Sequence, residues 1–321
     1  MRLMTFTCFA ATIFMSGITA ASAEVNVVTS IKPVHSLVTA VMEGVGKPAL
    51  IIEGTGSPHH YALKPSQARL LQNAELVFWI GPNIETFLES QIEGIATNAI
   101  SVPLIDSHGL IKISIREGGD FEGHDHDDHD DHDDHDDHAD HDDHEDHGGF
   151  DQHIWLDPVN AKVMLHEIET ALSAADPQHA SIYAANAEGM IQQLDALIID
   201  VQMELEPVKH KGYIVFHDAY QYYENRFGMS AVGSITVSPE TMPGAKRVSE
   251  LQEKLRALDA TCVFSEPQFE PKLVATIIEN TNARTGVLDP LGASIPGGAD
   301  HYISLIRNMT HALKTCLSEK G

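Results

Sequence analysis

The chain has 321 residues and carries 20 Lys and Arg against 47 Asp and Glu, a formal charge of −27 at neutral pH. With 43% hydrophobic residues it can build real cores, and at roughly 150 residues per domain it is long enough for two domains or one large one. So acidic a balance excludes docking on nucleic acid or on anionic lipid, both of which need a basic surface.

Taken in chain order, the first 23 residues read as an export signal. Arg2 is followed by the mostly apolar stretch Leu3 to Ile18 and by the small-x-small cleavage site Ala21-Ser22-Ala23. Thr5, Thr7, Thr12 and Ser16 interrupt the apolar stretch and no basic stop-transfer flank follows, which argues against a retained membrane anchor. No Cys follows the cleavage site, so no direct lipid anchor is expected, and the mature chain is expected to begin near Glu24.

Short apolar runs then alternate with amphipathic helical stretches, the pattern of an α/β fold with mostly parallel strands. Strands are expected at Val25–Thr29, Leu50–Ile52 and Leu76–Ile80, helices at Lys32–Glu43, Pro65–Asn73 and Glu85–Ile95, and a further strand at 111–115. Residues 124–147 hold 14 acids and nine His in 24 positions, which leaves 33 acids against 20 bases elsewhere. The histidines are His124, His126, His129, His132, His135, His138, His141, His144 and His147, and no apolar residue larger than Ala139 interrupts them. Such a self-repelling segment cannot bury enough surface to offset its ordering entropy, so a disordered loop is expected over about 120–149. A solvated spacer would need acid alone; the imidazoles add metal binding, weak, multiple and unselective where no geometry is imposed. A Ca²⁺ loop is excluded, because the Gly and the terminal bidentate Glu are missing.

After this run, Ile154 to Leu156 leads into a helix from Pro158 to about Ala174. From Pro177 to Glu206, the residues Tyr183, Ala187, Met190, Leu194, Leu197, Val201 and Leu205 step by three or four. That is helical spacing, and at about 1.5 Å per residue the helix is about 45 Å long. It is expected to join two lobes, 24–176 and 207–321, and to permit less hinge motion than crossing loops would. The second lobe reads as strand Tyr213–Phe216, helices Ala219–Phe227 and Ala245–Leu258, strand Cys262–Phe264, helix Pro271–Asn282, strand Gly286–Leu288 and a last helix from about Ala299 to Leu317. Cys8 leaves with the signal, so Cys262 and Cys316 remain as a disulfide candidate that would staple the last helix to its sheet. Two buried free thiols are the other reading, and neither reading makes them catalytic.

Four side chains share an address near strand ends. His59 follows the 50–52 strand, His217 immediately follows Tyr213-Ile214-Val215-Phe216, Asp289 ends Gly286-Val287-Leu288, and His153 precedes its apolar run and fits least well. In open α/β sheets, ligands collect outside the carboxyl ends of the strands. Two of the four precede the long helix and two follow it, so a cleft between the lobes would receive two from each side. Three imidazoles and a carboxylate suit four-coordinate Zn²⁺ at about 2.0–2.2 Å per bond. Harder ions such as Mn²⁺ prefer more oxygen.

The segments Ser57-Pro58-His59-His60-Tyr61-Ala62-Leu63-Lys64-Pro65-Ser66, His153-Ile154-Trp155-Leu156-Asp157-Pro158, Val215-Phe216-His217-Asp218-Ala219-Tyr220 and Leu288-Asp289-Pro290-Leu291-Gly292 resemble the zinc-uptake members of the metal-binding, ABC-transporter solute-binding family. The resemblance runs through essentially all of the mature chain in order, His-rich insertion and long helix included. It implies His59, His153, His217 and Asp289 as the Zn²⁺ ligands, with a carboxylate replacing His217 in the manganese-binding relatives. Some zinc relatives carry a Glu just before the first ligand; this chain has Pro58 there, so Asp289 or a water must complete the shell. His60 is the neighbouring alternative to His59. Glu266, after the 262–264 strand, is read as an acceptor for the far N–H of a metal-bound His, and Asp157 and Asp218 as similar acceptors or as helix caps.

The resemblance implies a monomeric periplasmic protein, not an enzyme, that captures Zn²⁺ and delivers it to an inner-membrane ABC permease. The chain has no G-x-x-x-x-G-K-[ST] loop, so the energy must come from the partner. Two rivals remain open at this point. One is an exported zinc hydrolase, with three His and an open water position, although H-E-x-x-H is absent and His166-Glu167 lacks the second His. The other is a periplasmic metal store built on the His run.

Overall fold

Two parallel four-stranded sheets carry the chain. The computed structural model describes residues 25–116, 121, 149–236, 239, 243–257, 262–270 and 272–318. The export signal expected at 1–23 and the His/Asp run at 124–147 lie outside the described residues.

The first sheet holds β1 (Val27–Thr29), β2 (Ala49–Leu50), β3 (Leu76–Trp79) and β4 (Ile100–Pro103) in the order β2-β1-β3-β4. The second repeats that pattern with β5 (Tyr213–His217), β6 (Gly233–Thr236), β7 (Cys262–Ser265) and β8 (Arg284–Val287), ordered β6-β5-β7-β8. Parallel strands covered on both faces read as unbroken apolar runs, and β3 and β5 are buried at every position. The helices are α1 (Lys32–Val41), α2 (Pro65–Gln72), α3 (Thr86–Ile95), α4 (Pro158–Ala175), α5 (Ala180–Leu205), α6 (Gln221–Phe227), α7 (Ala245–Ala257), α8 (Lys272–Ile278) and α9 (His301–Ser318). Their starts follow capping chemistry. Pro65 opens α2 while Gln67 Oε1 accepts from Lys64 N at 2.8 Å, and the Asp157 carboxylate accepts from Val159 N at 2.8 Å ahead of Pro158. Gly228 ends α6 at φ +67°, a conformation that a side chain would strain.

The structure departs from the expected elements at five places. Residues 111–115 form no strand; only the isolated bridge Ser114–Phe150 is made there. The fourth strand is instead Ile100–Pro103, whose first two residues are exposed, so it presents no apolar run to read. β6 escapes notice because Gly233-Ser234-Ile235-Thr236 is short and small. Ile154–Leu156 is a 3₁₀ turn, and β8 ends at Val287, which leaves Asp289 two residues beyond its strand.

α5 runs for 26 residues and buries the seven residues whose spacing announces it, then continues into the 3₁₀ turn Glu206–Val208. It joins the lobes and packs on α1 and α4 of the first and on α6 and α9 of the second. α9 crosses back to α1 as well, so one apolar core is continuous from Val27 to Leu317. Alternation along β5 divides the second lobe's burial: Tyr213 and Val215 face that shared core, whereas Ile214 and Phe216 face a separate cluster with Leu251 of α7 and Val274 of α8. Cys262 and Cys316 are bridged, tying the start of β7 to the last turn of α9. Polar contacts reinforce the lobe interface. Lys32 Nζ donates to the carbonyls of Ala293 (2.7 Å) and Ile295 (3.1 Å), Trp155 Nε1 to Pro290 O (2.8 Å), and Tyr302 Oη to Trp155 O (2.6 Å). Among the described residues no helix is long and apolar enough to cross a membrane.

Candidate metal centre

His59 lies in the loop between β2 and α2, where the Ser57–His60 bridge tightens the chain and His59 N donates to Ser57 Oγ at 3.3 Å. His153 opens the turn that leads into α4, and His217 is the last residue of β5. Their ring centroids are 5.3 Å (His59–His153), 5.5 Å (His59–His217) and 5.3 Å (His153–His217) apart, so the rings surround one point. One nitrogen from each lies within 4.8 Å of the others, and the Nε2 atoms of His59 and His153 stand 3.3 Å apart. A tetrahedral ion with bonds of about 2.0–2.1 Å has ligand–ligand edges of about 3.3–3.4 Å, which that pair matches.

Carboxylates fix the tautomers. His153 Nδ1 donates to Asp151 Oδ1 at 2.6 Å and His217 Nδ1 to Glu266 Oε1 at 2.7 Å, which leaves each Nε2 as a bare lone pair. His217 Nε2 is buried and has no hydrogen-bond partner, an arrangement that a cation satisfies and an empty protein does not. Burial, with the neighbouring His153 and His217, holds the His59 imidazole down to about 2, so it stays neutral and ready to ligate. At His217 burial pulls downward, but the Glu266 carboxylate outweighs it and the net shift is upward. A proton therefore competes with a metal chiefly at His217 rather than at His59. Three imidazole nitrogens, two of them on rings held by carboxylates, form a donor set for a borderline ion rather than an oxygen-seeking one.

The other singled-out residues fall elsewhere. Asp289 is not among the converging groups: its Oδ1 accepts from Leu291 N (3.0 Å) and Gln268 Nε2 (3.0 Å), and its Oδ2 from Ala293 N (2.6 Å). His60 is exposed. Asp157 caps α4 and pairs with Arg226 at 2.7 Å, while Asp218 pairs with Arg116, which also holds Glu224 at 3.0 Å. Asp151 is the residue that sequence reasoning missed; its signal was the Asp-x-His spacing that lets one carboxylate reach both the backbone N (3.0 Å) and the ring of His153. It also touches the second lobe, because Gln221 Nε2 donates to its Oδ2 (3.3 Å) and Tyr222 Oη to its carbonyl (2.7 Å).

The three rings border two spaces. One is a vestibule of about 300 Å³ walled by Asn83, Ile84, Ile115, Arg116 and Phe150. A second, small cavity of about 10 Å³ is bounded by the same three His with Ser57, Glu266, Gln268 and Leu291.

Comparison with known proteins gives a consistent picture. The family described as zinc-uptake complex component A, periplasmic, matches residues 27–316. The high-affinity zinc uptake system protein ZnuA of Brucella suis biovar 1 is 54% identical over 327 residues, covering 97% of this chain and 98% of that protein. The corresponding proteins of Paracoccus denitrificans and Yersinia pestis are 39% and 37% identical, each over 92% of this chain, and over 93% and 92% of their own lengths. Among solved structures, a 138–173 deletion mutant of ZnuA with zinc bound aligns with a TM-score of 0.75 at 21% identity, over 93% of this chain and 100% of that one. The laminin-binding adhesin of Streptococcus agalactiae aligns at 0.72 and 22% identity, over 91% and 98%. At such identities the structures speak for the fold alone.

Proposed function

The chain belongs to the periplasmic zinc-uptake complex component A family, and from that membership we propose that it captures Zn²⁺ on His59, His153 and His217 and hands it to an inner-membrane ABC permease. Proteins of this family are binding components of zinc uptake, not enzymes. The observation that carries the ligand assignment is the approach of three imidazoles from distant parts of the sequence, two with their far nitrogens already committed to carboxylates.

His59 and His153 belong to the first lobe and His217 to the second, so a bound ion ties the lobes together. The shared core and the Lys32, Trp155 and Tyr302 bonds resist wide opening. Release then proceeds by local displacement of ligands when the permease engages both lobes. Asp151 suits that role, since it holds His153 while being held by Gln221 and Tyr222 of α6.

The His/Asp run serves as auxiliary capture. Its flanks support this: Ile115 N donates to Gly149 O at 2.9 Å and Asp151 N to Ile113 O at 2.8 Å, and Ile115 and Phe150 wall the vestibule. The described residues on either side of the run therefore lie at the mouth of the site. Residues 1–23 act as a cleaved export signal, and the mature protein works as a monomer without a lipid anchor. Titration calorimetry of the mature chain, with and without residues 124–147, tests both parts. One tight zinc site is expected to survive the deletion while several weak ones vanish. Unchanged stoichiometry would refute the capture role, and a tight site that persists in His59→Ala, His153→Ala and His217→Ala would refute the ligand assignment.

A further inference from the structure

His217 is the last residue of β5, and the chain turns sharply after it: Ala219 N donates back to His217 O at 2.9 Å, with Asp218 at the corner. Asp218 is gripped from the other lobe. Arg116 Nε donates to its Oδ2 at 2.9 Å and Nη2 to its Oδ1, while Nη1 donates to Glu224 Oε2 at 3.0 Å. The guanidinium also lies over the Phe121 ring, 3.7 Å from its centroid. The Asp218 and Glu224 side chains are only 10% and 6% exposed, and that of Arg116 24%. An exposed ion pair contributes little, but a two-pronged guanidinium–carboxylate pair fixes direction as well as distance. The segment that carries Arg116 is itself bonded to the approach to His153. Ile115 N donates to Gly149 O at 2.9 Å, Asp151 N to Ile113 O at 2.8 Å, and the Asp151 carboxylate holds the His153 ring. A continuous path thus runs from His153 through Asp151, the 113–116 segment, Arg116 and Asp218 to His217.

We propose that Arg116 is a positioning residue for the metal centre: by holding Asp218 it sets His217 of the second lobe against His59 and His153 of the first, without touching the ion. The proposal rests on the three-histidine assignment above. Two readings compete with it. One is that Arg116 merely stabilises the fold; yet a buried ion pair is often no better for stability than apolar residues of like volume, and what the fork adds is a register. The other is that Arg116 tunes the site by charge, since it lines the vestibule together with His217 and Asp218. That reading has the opposite sign. A positive charge beside a cation site disfavours the cation, so taking it away would raise zinc affinity. Positioning predicts a fall instead, because part of the binding energy must then go to bringing the rings together.

The test uses the mature full-length chain and reads Zn²⁺ affinity by chelator competition, together with the visible absorption of the Co²⁺-loaded protein. Arg116→Gln is expected to lower zinc affinity about tenfold, within the range of about 5- to 150-fold usual for coupling between separate groups, and to shift the Co²⁺ band. Arg116→Lys keeps the charge that balances Asp218 and Glu224 but not the fork. It guards against a folding defect in the first variant and is expected to lose affinity in the same direction. Combined with Asp218→Asn, Arg116→Gln is expected to lose no more than it loses alone. Wild-type affinity and an unchanged Co²⁺ band in both Arg116 variants, whatever their melting temperatures, would overturn the proposal in favour of a structural role. A raised affinity in Arg116→Gln would overturn it in favour of charge, and losses that add in the double variant would overturn the route through Asp218. His217→Ala separates the two levels: undiminished zinc binding in that variant removes the ligand assignment beneath, whatever Arg116 does.

Discussion

Glu85 provides a quantitative check on the first lobe. It is fully buried in the turn between β3 and α3, where its Oε2 accepts from Ile80 N at 2.7 Å and Gly81 N at 3.2 Å. Asn83 and Ile84 of the same turn line the vestibule, so this carboxyl braces one wall of the approach to the site. Burial pushes it from 4.5 up to about 7, against the opposing pull of the Ser30 hydroxyl and the two amides. The folded chain therefore binds this proton more tightly than the unfolded chain, and its contribution to stability is lost as pH rises from about 4.5 through about 7. A difference of about 2.5 units at 1.36 kcal/mol each amounts to about 3 kcal/mol at pH 8 and to a few tenths at pH 4. Glu85→Gln keeps a carbonyl oxygen for both amides and removes the charge. Urea unfolding of the metal-free proteins at the two pH values reads the difference directly, and Glu224, raised to about 6 for similar reasons, cancels because both proteins contain it. The variant is expected to match wild type at pH 4 and to be about 3 kcal/mol more stable at pH 8. A difference that does not change with pH, or a less stable variant at pH 8, would refute the reasoning.

Two other outcomes follow from the same structure. Since His59 is held neutral while His217 is raised, zinc affinity should fall as pH drops through the raised value of His217; chelator competition across that range measures the fall, and an affinity that does not change with pH would contradict the assignment. Reducing the Cys262–Cys316 bridge, which spans 54 residues, should cost about 4 kcal/mol in the chain-entropy account. Denaturant melts with and without reductant measure that cost, and an unchanged midpoint would show that the packing of α9 alone suffices.

Much of this architecture was legible because burial leaves period and composition marks. The seven buried residues of α5 announced a helix that joins the lobes, and the fully buried β3 and β5 announced parallel strands. What stayed hidden lacks such marks. β4 exposes Ile100 and Ser101, β6 is built of small residues, and the 111–115 segment carries apolar residues that end as a single bridge beside the vestibule. The common core of the two lobes was equally invisible, since α9 returning onto α1 is a long-range event that no local pattern encodes. At the site, the three imidazoles were singled out by their address near strand ends, whereas their geometry was not readable. Asp289 sits at the address of a ligand, yet two amides and Gln268 close over its oxygens. Asp151 works through a two-residue spacing that became meaningful only once His153 was seen to need an acceptor.

A crystal grown with one equivalent of zinc and mapped by anomalous scattering at the zinc edge bears most directly on the whole account. A single strong peak is expected within about 2.0–2.1 Å of Nε2 on His59, His153 and His217. A peak bound elsewhere, with those three rings unliganded, would contradict it.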